Sequence, residues 1–114
     1  MHETLGNRIR AAREAKGLSL RDLARRVQLD YGYLSKIENG AVSPSAEALS
    51  ALAEVLELDE IELLLLGDRV PAPLDPLARS EEALDFFKRA AAIREPAEWR
   101  ELSRFLEERL RPRQ

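Results

Sequence analysis

Residues Leu18–Gly40 read LSLRDLARRVQLDYGYLSKIENG, and the spacing of the apolar residues in that run decides the fold. Leu20, Leu23, Ala24 and Val27 fall at i, i+3, i+4 and i+7, one face of a helix. Ser19 with Asp22 three residues on has the form of a capping box, so the helix opens there. Gln28-Leu29 interrupts it. Asp30 is a suitable N-cap for a further helix to about Glu38, and Asn39-Gly40 ends that one. Only Leu34 and Ile37 of this short helix point at a core, which leaves Tyr31, Gly32, Ser35 and Lys36 on an outward face.

The flanking sequence supplies the body. Upstream, Leu5, Ile9 and Ala12 share a helical face, and Gly17 is a natural stop. Downstream of the turn AVSPS, Leu49, Leu52, Ala53 and Leu56 repeat as a fourth helix. Asp59 can cap a fifth, with Glu62 three residues on, and Ile61, Leu64 and Leu65 are its expected inward face. Leu63 and Leu66 exceed what that face needs; they either cover the start of the next segment or meet a second subunit. No β-branched alternation competes, so the first 66 residues or so are expected to be all-α.

Val70-Pro71-Ala72-Pro73-Leu74-Asp75-Pro76 follows, and three prolines so close together cannot lie in a helix interior. They read as a semi-rigid connector. Beyond it Ser80 caps a helix with Leu84, Phe87 and Ala91 on one face, and Pro96 suits the first turn of a last helix. There Trp99, Leu102, Leu106 and Leu110 form a stripe with Phe105 beside it. The expected organisation is a domain over 1–68, a connector over 69–79 and a helical hairpin over 80–114. Two helices with one apolar stripe each cannot bury that surface alone. They must pack on the first domain or on another chain, and the proline-rich spacing favours another chain.

Composition narrows the function classes. The 114 residues contain no cysteine, so neither disulfides nor a thiolate metal site is available, and the single His2 lies at the N-terminus, where a zinc site would lack partners. No apolar run approaches the roughly 18 residues of a membrane span, and the start is too polar for a secretion signal, so a soluble cytoplasmic protein is expected. One terminal histidine and no cysteine leave no nucleophile–base–orienter set, and no glycine-rich phosphate loop occurs; an enzyme and a cofactor are not expected. The net charge of −3 argues superficially against nucleic acid. By segment, however, residues 1–40 carry eight basic and five acidic side chains, residues 41–68 none and seven, and residues 69–114 ten and nine. A basic face and an acidic face are therefore expected.

Two short helices joined by a tight turn can hold the second clear of the body, at an angle that fits a major groove about 12 Å wide. The locking residues would be Leu23, Ala24, Val27, Leu29, Leu34 and Ile37, with Ala24 small where the helices cross. On these residues, GLSLRDLARRVQLDYGYLSKIENGAVSPSAEALSALAEVL resembles the helix-turn-helix of the Cro/CI-type, or XRE, family of regulators, over residues 5–66. The resemblance implies a five-helix lambda-repressor-like domain in an all-α chain. It implies base-facing roles for Asp30, Tyr31, Gly32, Ser35 and Lys36. It implies phosphate contacts from Ser19, Leu20 and Arg21 at a helix N-terminus, from Tyr33, and from Asn39 at the end of the recognition helix. It also implies a structural pair between Arg13 and Glu38. The family usually has glycine after Val27, because the turn needs φ > 0, and this chain has Gln28.

Plainer roles stand beside these. Tyr31 and Tyr33 could be rim packing and Lys36 a solvated lysine; Arg25 and Arg26 read as ordinary surface charges sooner than as phosphate clamps, and Arg8 and Arg10 stay undecided between the two. Gly32 either admits the DNA backbone or is merely tolerated. The tail, with Leu84, Phe87, Trp99, Leu102, Phe105 and Leu106 as oligomerisation residues, is loosely similar to the multimerisation tail of SinR-type repressors. It bears a looser likeness to repressors that a metallopeptidase cleaves. The implied function is a sequence-specific regulator, expected to be a repressor binding an inverted repeat of double-stranded DNA as a homodimer. A protein anti-repressor or a regulatory peptidase is a possible partner. An antitoxin-type autoregulator and an adaptor that keeps the fold without binding DNA are the alternatives.

Overall fold

The structure is a computed structural model and describes residues 4–112. His2 lies outside them. The chain divides into two compact units between Ala72 and Pro73. All regular structure among the described residues is helical.

The first unit contains α1 (Leu5–Ala15), α2 (Leu20–Val27), α3 (Tyr31–Glu38), α4 (Ala46–Leu56) and α5 (Glu60–Leu66). Each start is fixed by a side-chain cap. Thr4, Ser19, Asp30, Ser45 and Asp59 each accept a hydrogen bond from a backbone N–H three residues on. Caps of this kind contribute about 1 kcal/mol each. Stops are equally local: Gly17 (φ +68°) and Gly40 (φ +74°) adopt the left-handed turn that closes α1 and α3.

Every helix sends at least one side chain to a single core. Ile9 of α1, Leu23 of α2, Leu34 and Ile37 of α3, Leu49 and Leu52 of α4 and Leu63 of α5 are fully buried. Removing any one would cost roughly 2–5 kcal/mol in transfer and cavity terms. The backbones of α1 and α3 come very close. A Cβ on the buried Gly6 would stand 2.2 Å from the carbonyl oxygen of Glu38, so only glycine lets these two backbones meet.

The face of α5 differs from expectation. Leu63 and Leu64 are buried, whereas Ile61 is 39% and Leu65 50% exposed. In EIELLLL four successive leucines match several helical faces, so periodicity could not choose among them. Packing chose. Leu63 joins the core with Leu49 and Leu52, and the buried Gly67 that follows α5 lies so near Leu49 that a Cβ on it would be 2.6 Å from Cδ1.

The proline-rich stretch holds short helical turns. Ala72–Leu74 form a turn of 3-10 helix and Asp75–Ala78 a one-turn helix, α6. Pro76 occupies the first turn of α6, where a missing N–H leaves no bond unmade. In the second unit α7 (Glu81–Ala90) begins at Ser80, whose Oγ accepts from the Ala83 amide at 3.2 Å, and α8 (Pro96–Leu110) opens on its proline. Leu84, Phe86, Phe87, Trp99, Phe105, Leu106 and Leu110 are all exposed. No helix among the described residues is long and apolar enough to cross a membrane.

Candidate nucleic-acid interface

The turn between α2 and α3 is made by Gln28, at φ 57° and ψ 40°. For a residue with a Cβ this left-handed conformation costs about 1–2 kcal/mol. It persists because the Leu29 amide donates to the Ala24 carbonyl at 3.0 Å while the Leu29 side chain packs on the core. The chain thus reverses sharply, and Leu34 and Ile37 seat α3 on the core, with Tyr33 packed beside them and Glu38 buried at its end.

The opposite side of α3 is polar and open. Tyr31, its first residue, is 45% exposed, and the Arg21 guanidinium of α2 lies over the ring, 4.9 Å from the centroid. Lys36 is exposed and makes no ion pair among the described residues. Gly32 and Ser35 are half-buried between them. A Cβ on Gly32 would meet only the Asp30 carboxylate, at 3.1 Å. Asp30 itself turns Oδ2 back to accept from the Tyr33 amide at 3.3 Å, so one carboxylate oxygen caps the helix.

Tyr33 is tied down. It is half-buried against the core, and its hydroxyl accepts a hydrogen bond from the Ser45 amide at 3.1 Å. That bond ties the start of α3 to the N-cap of α4, and the hydroxyl proton is all Tyr33 retains to offer a phosphate.

At the head of α2, Ser19 Oγ accepts from the Asp22 amide at 3.0 Å, and Asp22 Oδ2 accepts from the Ser19 amide at 3.1 Å. The capping box satisfies both ends of the turn and leaves the Leu20 and Arg21 amides without an acceptor among the described residues. Those two donors, at the positive end of the helix dipole, suit an anion. The hydrogen bond from Ser19 holds the Asp22 carboxyl below the usual carboxylate range, with a smaller contribution from Arg25, whose Nη2 stands 2.8 Å from Oδ1.

The end of α3 is built around Glu38, the one charged residue buried among those described. Arg13 donates Nε to Oε2 at 2.8 Å and Nη2 to Oε1 at 3.1 Å, and Arg10 donates Nε to Oε1 at 3.2 Å. The expected Arg13–Glu38 pair is therefore present and bidentate. Arg10 also donates Nη2 to Asn39 Oδ1 at 3.1 Å. A guanidinium only donates, so this contact fixes which end of the Asn39 amide faces inward. The NH2 end is left to solvent, where it can meet a phosphate. The backbone amide of Asn39 is already given to Ser35.

Three features of the site had no sequence signal: Arg10 as the orienter of Asn39, Ser45 as the partner of Tyr33, and Arg69. Arg69 donates Nε and Nη2 to the Pro44 carbonyl at 3.2 and 3.0 Å, pinning the loop after α3. Each joins residues at least 12 positions apart, beyond the reach of local pattern. Arg8, left undecided by sequence, pairs with Glu62 at 3.1 Å. Of the tail residues, Leu84, Phe87, Trp99, Phe105 and Leu106 are exposed and Leu102 is half-buried.

A family model described as a helix-turn-helix domain matches residues 4–66. The transcriptional regulator ClgR of Mycobacterium tuberculosis is 37% identical over 84 residues, 73% of this chain and 74% of that protein. The HTH-type transcriptional regulator DdrOP3 of Deinococcus deserti is 38% identical over 60 residues, 53% of this chain and 46% of that protein. Among solved structures, the N-terminal DNA-binding domain of SinR from Bacillus subtilis matches 55% of this chain and 93% of its own, with a TM-score of 0.51 and 36% identity. A chain of the SinR/SinI complex matches 93% of this chain and 97% of its own, with a TM-score of 0.53 and 26% identity.

Proposed function

We propose that this chain, which belongs to the helix-turn-helix family of XRE-type DNA-binding transcriptional regulators, is a repressor that binds an inverted-repeat operator as a homodimer. One α3 enters the major groove of each half-site, with half-site centres about 10 bp apart or a multiple of that. Asp30, Tyr31, Gly32, Ser35 and Lys36 face the base edges. Ser19, Leu20, Arg21 and Asn39 grip phosphates, with Tyr33 adding only its hydroxyl proton. The observation that carries this reading is Lys36. It is exposed on the free face of a helix whose apolar side is wholly committed to the core, and it has no acidic partner among the described residues. Its preferred target is guanine O6 and N7.

The division into 1–68, 69–79 and 80–114 gives the tail the role of holding two copies together through Leu84, Phe87, Trp99, Leu102, Phe105 and Leu106. Exposed aromatics on two short helices support it. A protein antagonist at the same tail is a second reading, favoured by the likeness to a chain of the SinR/SinI complex along nearly the whole length. The cytoplasm is the compartment in which such a regulator would meet DNA.

The test is a mobility shift on duplexes selected from a randomised library, run at two salt concentrations. Binding should fall steeply with salt. Lys36→Ala should lower specific affinity by about 1–3 kcal/mol and leave the melting temperature unchanged. Retention of no duplex even at low salt would favour an adaptor without DNA binding. A chain lacking residues 71–114 should run as a monomer in light scattering; a dimer would reject the tail assignment.

A further inference from the structure

We infer that Tyr31, held by Arg21, reads the 5-methyl group of a thymine in each half-site, an inference that rests on the DNA-binding function proposed above. Tyr31 opens α3, and the first residues of a recognition helix are those that reach base edges. Its ring is the one large apolar surface on the outward side of the helix. Leu34 and Ile37 are buried, and the ring of Tyr33 packs on the core. The next residue, Gly32, adds no side chain, so the backbone can approach closely enough to bring the ring to the groove floor. There, thymine C5-methyl is the apolar group that the base edges present.

Arg21 makes the ring a fixed reader. Its guanidinium covers the ring at 4.9 Å, while the ring stays 45% exposed. A cation over the ring restrains the tyrosine rotamer before DNA arrives, so less ordering remains to be done on binding. This contact uses no guanidinium N–H as a hydrogen-bond donor, and Arg21 makes no other side-chain hydrogen bond among the described residues, so its donors remain for a phosphate. One side chain would then position the base reader and help to place it on the backbone.

The experiment uses the full chain and an operator selected from a randomised duplex library. Each thymine of a half-site is replaced in turn by deoxyuridine, which keeps every hydrogen-bonding group and lacks the methyl. One thymine per half-site should show a loss of about three- to fivefold, the value of one buried methyl. Tyr31→Phe should keep that sensitivity, Tyr31→Ala should abolish it, and Arg21→Gln should reduce it. The inference is overturned if no replacement lowers affinity more than about twofold, if Tyr31→Ala shows the same loss as the unaltered chain, or if the selected half-sites contain no thymine. Failure of any sequence to enrich would instead remove the DNA-binding reading itself, and this inference with it.

Discussion

Arg13 holds both oxygens of the Glu38 carboxylate with one edge of its guanidinium, through bonds of 2.8 and 3.1 Å, and thereby fastens α1 to the last residue of α3. The Glu38 side chain is 3% exposed and that of Arg13 14%. Removing one partner of a buried pair leaves an uncompensated charge, which typically costs 3–5 kcal/mol. Here Arg10 remains at 3.2 Å, so Arg13→Ala should cost about 2–4 kcal/mol in urea denaturation. Arg10→Ala, at a side chain 42% exposed, should cost less than about 1 kcal/mol. Equal losses would mean that the two arginines share the role. The hydrogen bond to Glu38 also raises the Arg13 pKa above its ordinary value. The stability this gives is fully present at any pH below the ordinary arginine range and is lost only as pH climbs through the raised value.

Two glycines that look alike in sequence should behave oppositely. Gly6→Ala would drive a methyl into the Glu38 carbonyl and force α1 from α3, at a cost of roughly 3 kcal/mol or more. Gly32→Ala meets only the flexible Asp30 side chain, and its helix propensity should offset the crowding. Its thermal midpoint should stay level or rise, while mobility shifts show weaker operator binding. If Gly32→Ala bound DNA as the parent does, close backbone approach at that point would be disproved.

Gln28 stores strain that glycine would release. Relief of about 1–2 kcal/mol from the left-handed conformation should exceed the added chain entropy of glycine. Gln28→Gly is therefore expected to raise stability by about 0.5–1 kcal/mol without altering the binding-site sequence. Gln28→Val should destabilise by more than the gain. Chemical denaturation of the three proteins side by side decides it, and a less stable glycine variant would contradict the assignment of strain.

Asp22 links the α2 cap to pH. Its carboxyl is depressed chiefly by the bond from Ser19, so the contribution of the charged cap is present above the ordinary carboxylate pKa. That contribution disappears as pH falls through the depressed value. Ser19→Ala removes the side-chain contribution but keeps the amide bond to Oδ2, so in carboxyl-detected NMR titrations the Asp22 midpoint should move only part of the way up toward the ordinary value, while loss of the Oγ cap should lower stability at neutral pH by about 1 kcal/mol. An unmoved midpoint would place the cause of the shift elsewhere.

Much of the first unit was legible in the chain itself. Caps at Ser19, Asp30 and Asp59, stops at Gly17 and Gly40, and core positions such as Leu23, Leu34 and Leu52 depend on residues within about one helical turn. The outward face of α3 followed by subtraction, since two of its residues were needed inside. By itself, then, the sequence determined the order of the five helices of the first unit, most of their ends and which side of α3 stays polar. The tertiary structure alone decided that Leu63 rather than Ile61 lies in the core, that Ser45 holds Tyr33, that Arg10 turns Asn39, and that Arg21 covers Tyr31. Each of those choices depends on a partner from elsewhere in the chain, beyond the single helical turn over which caps, stops and periodicity act.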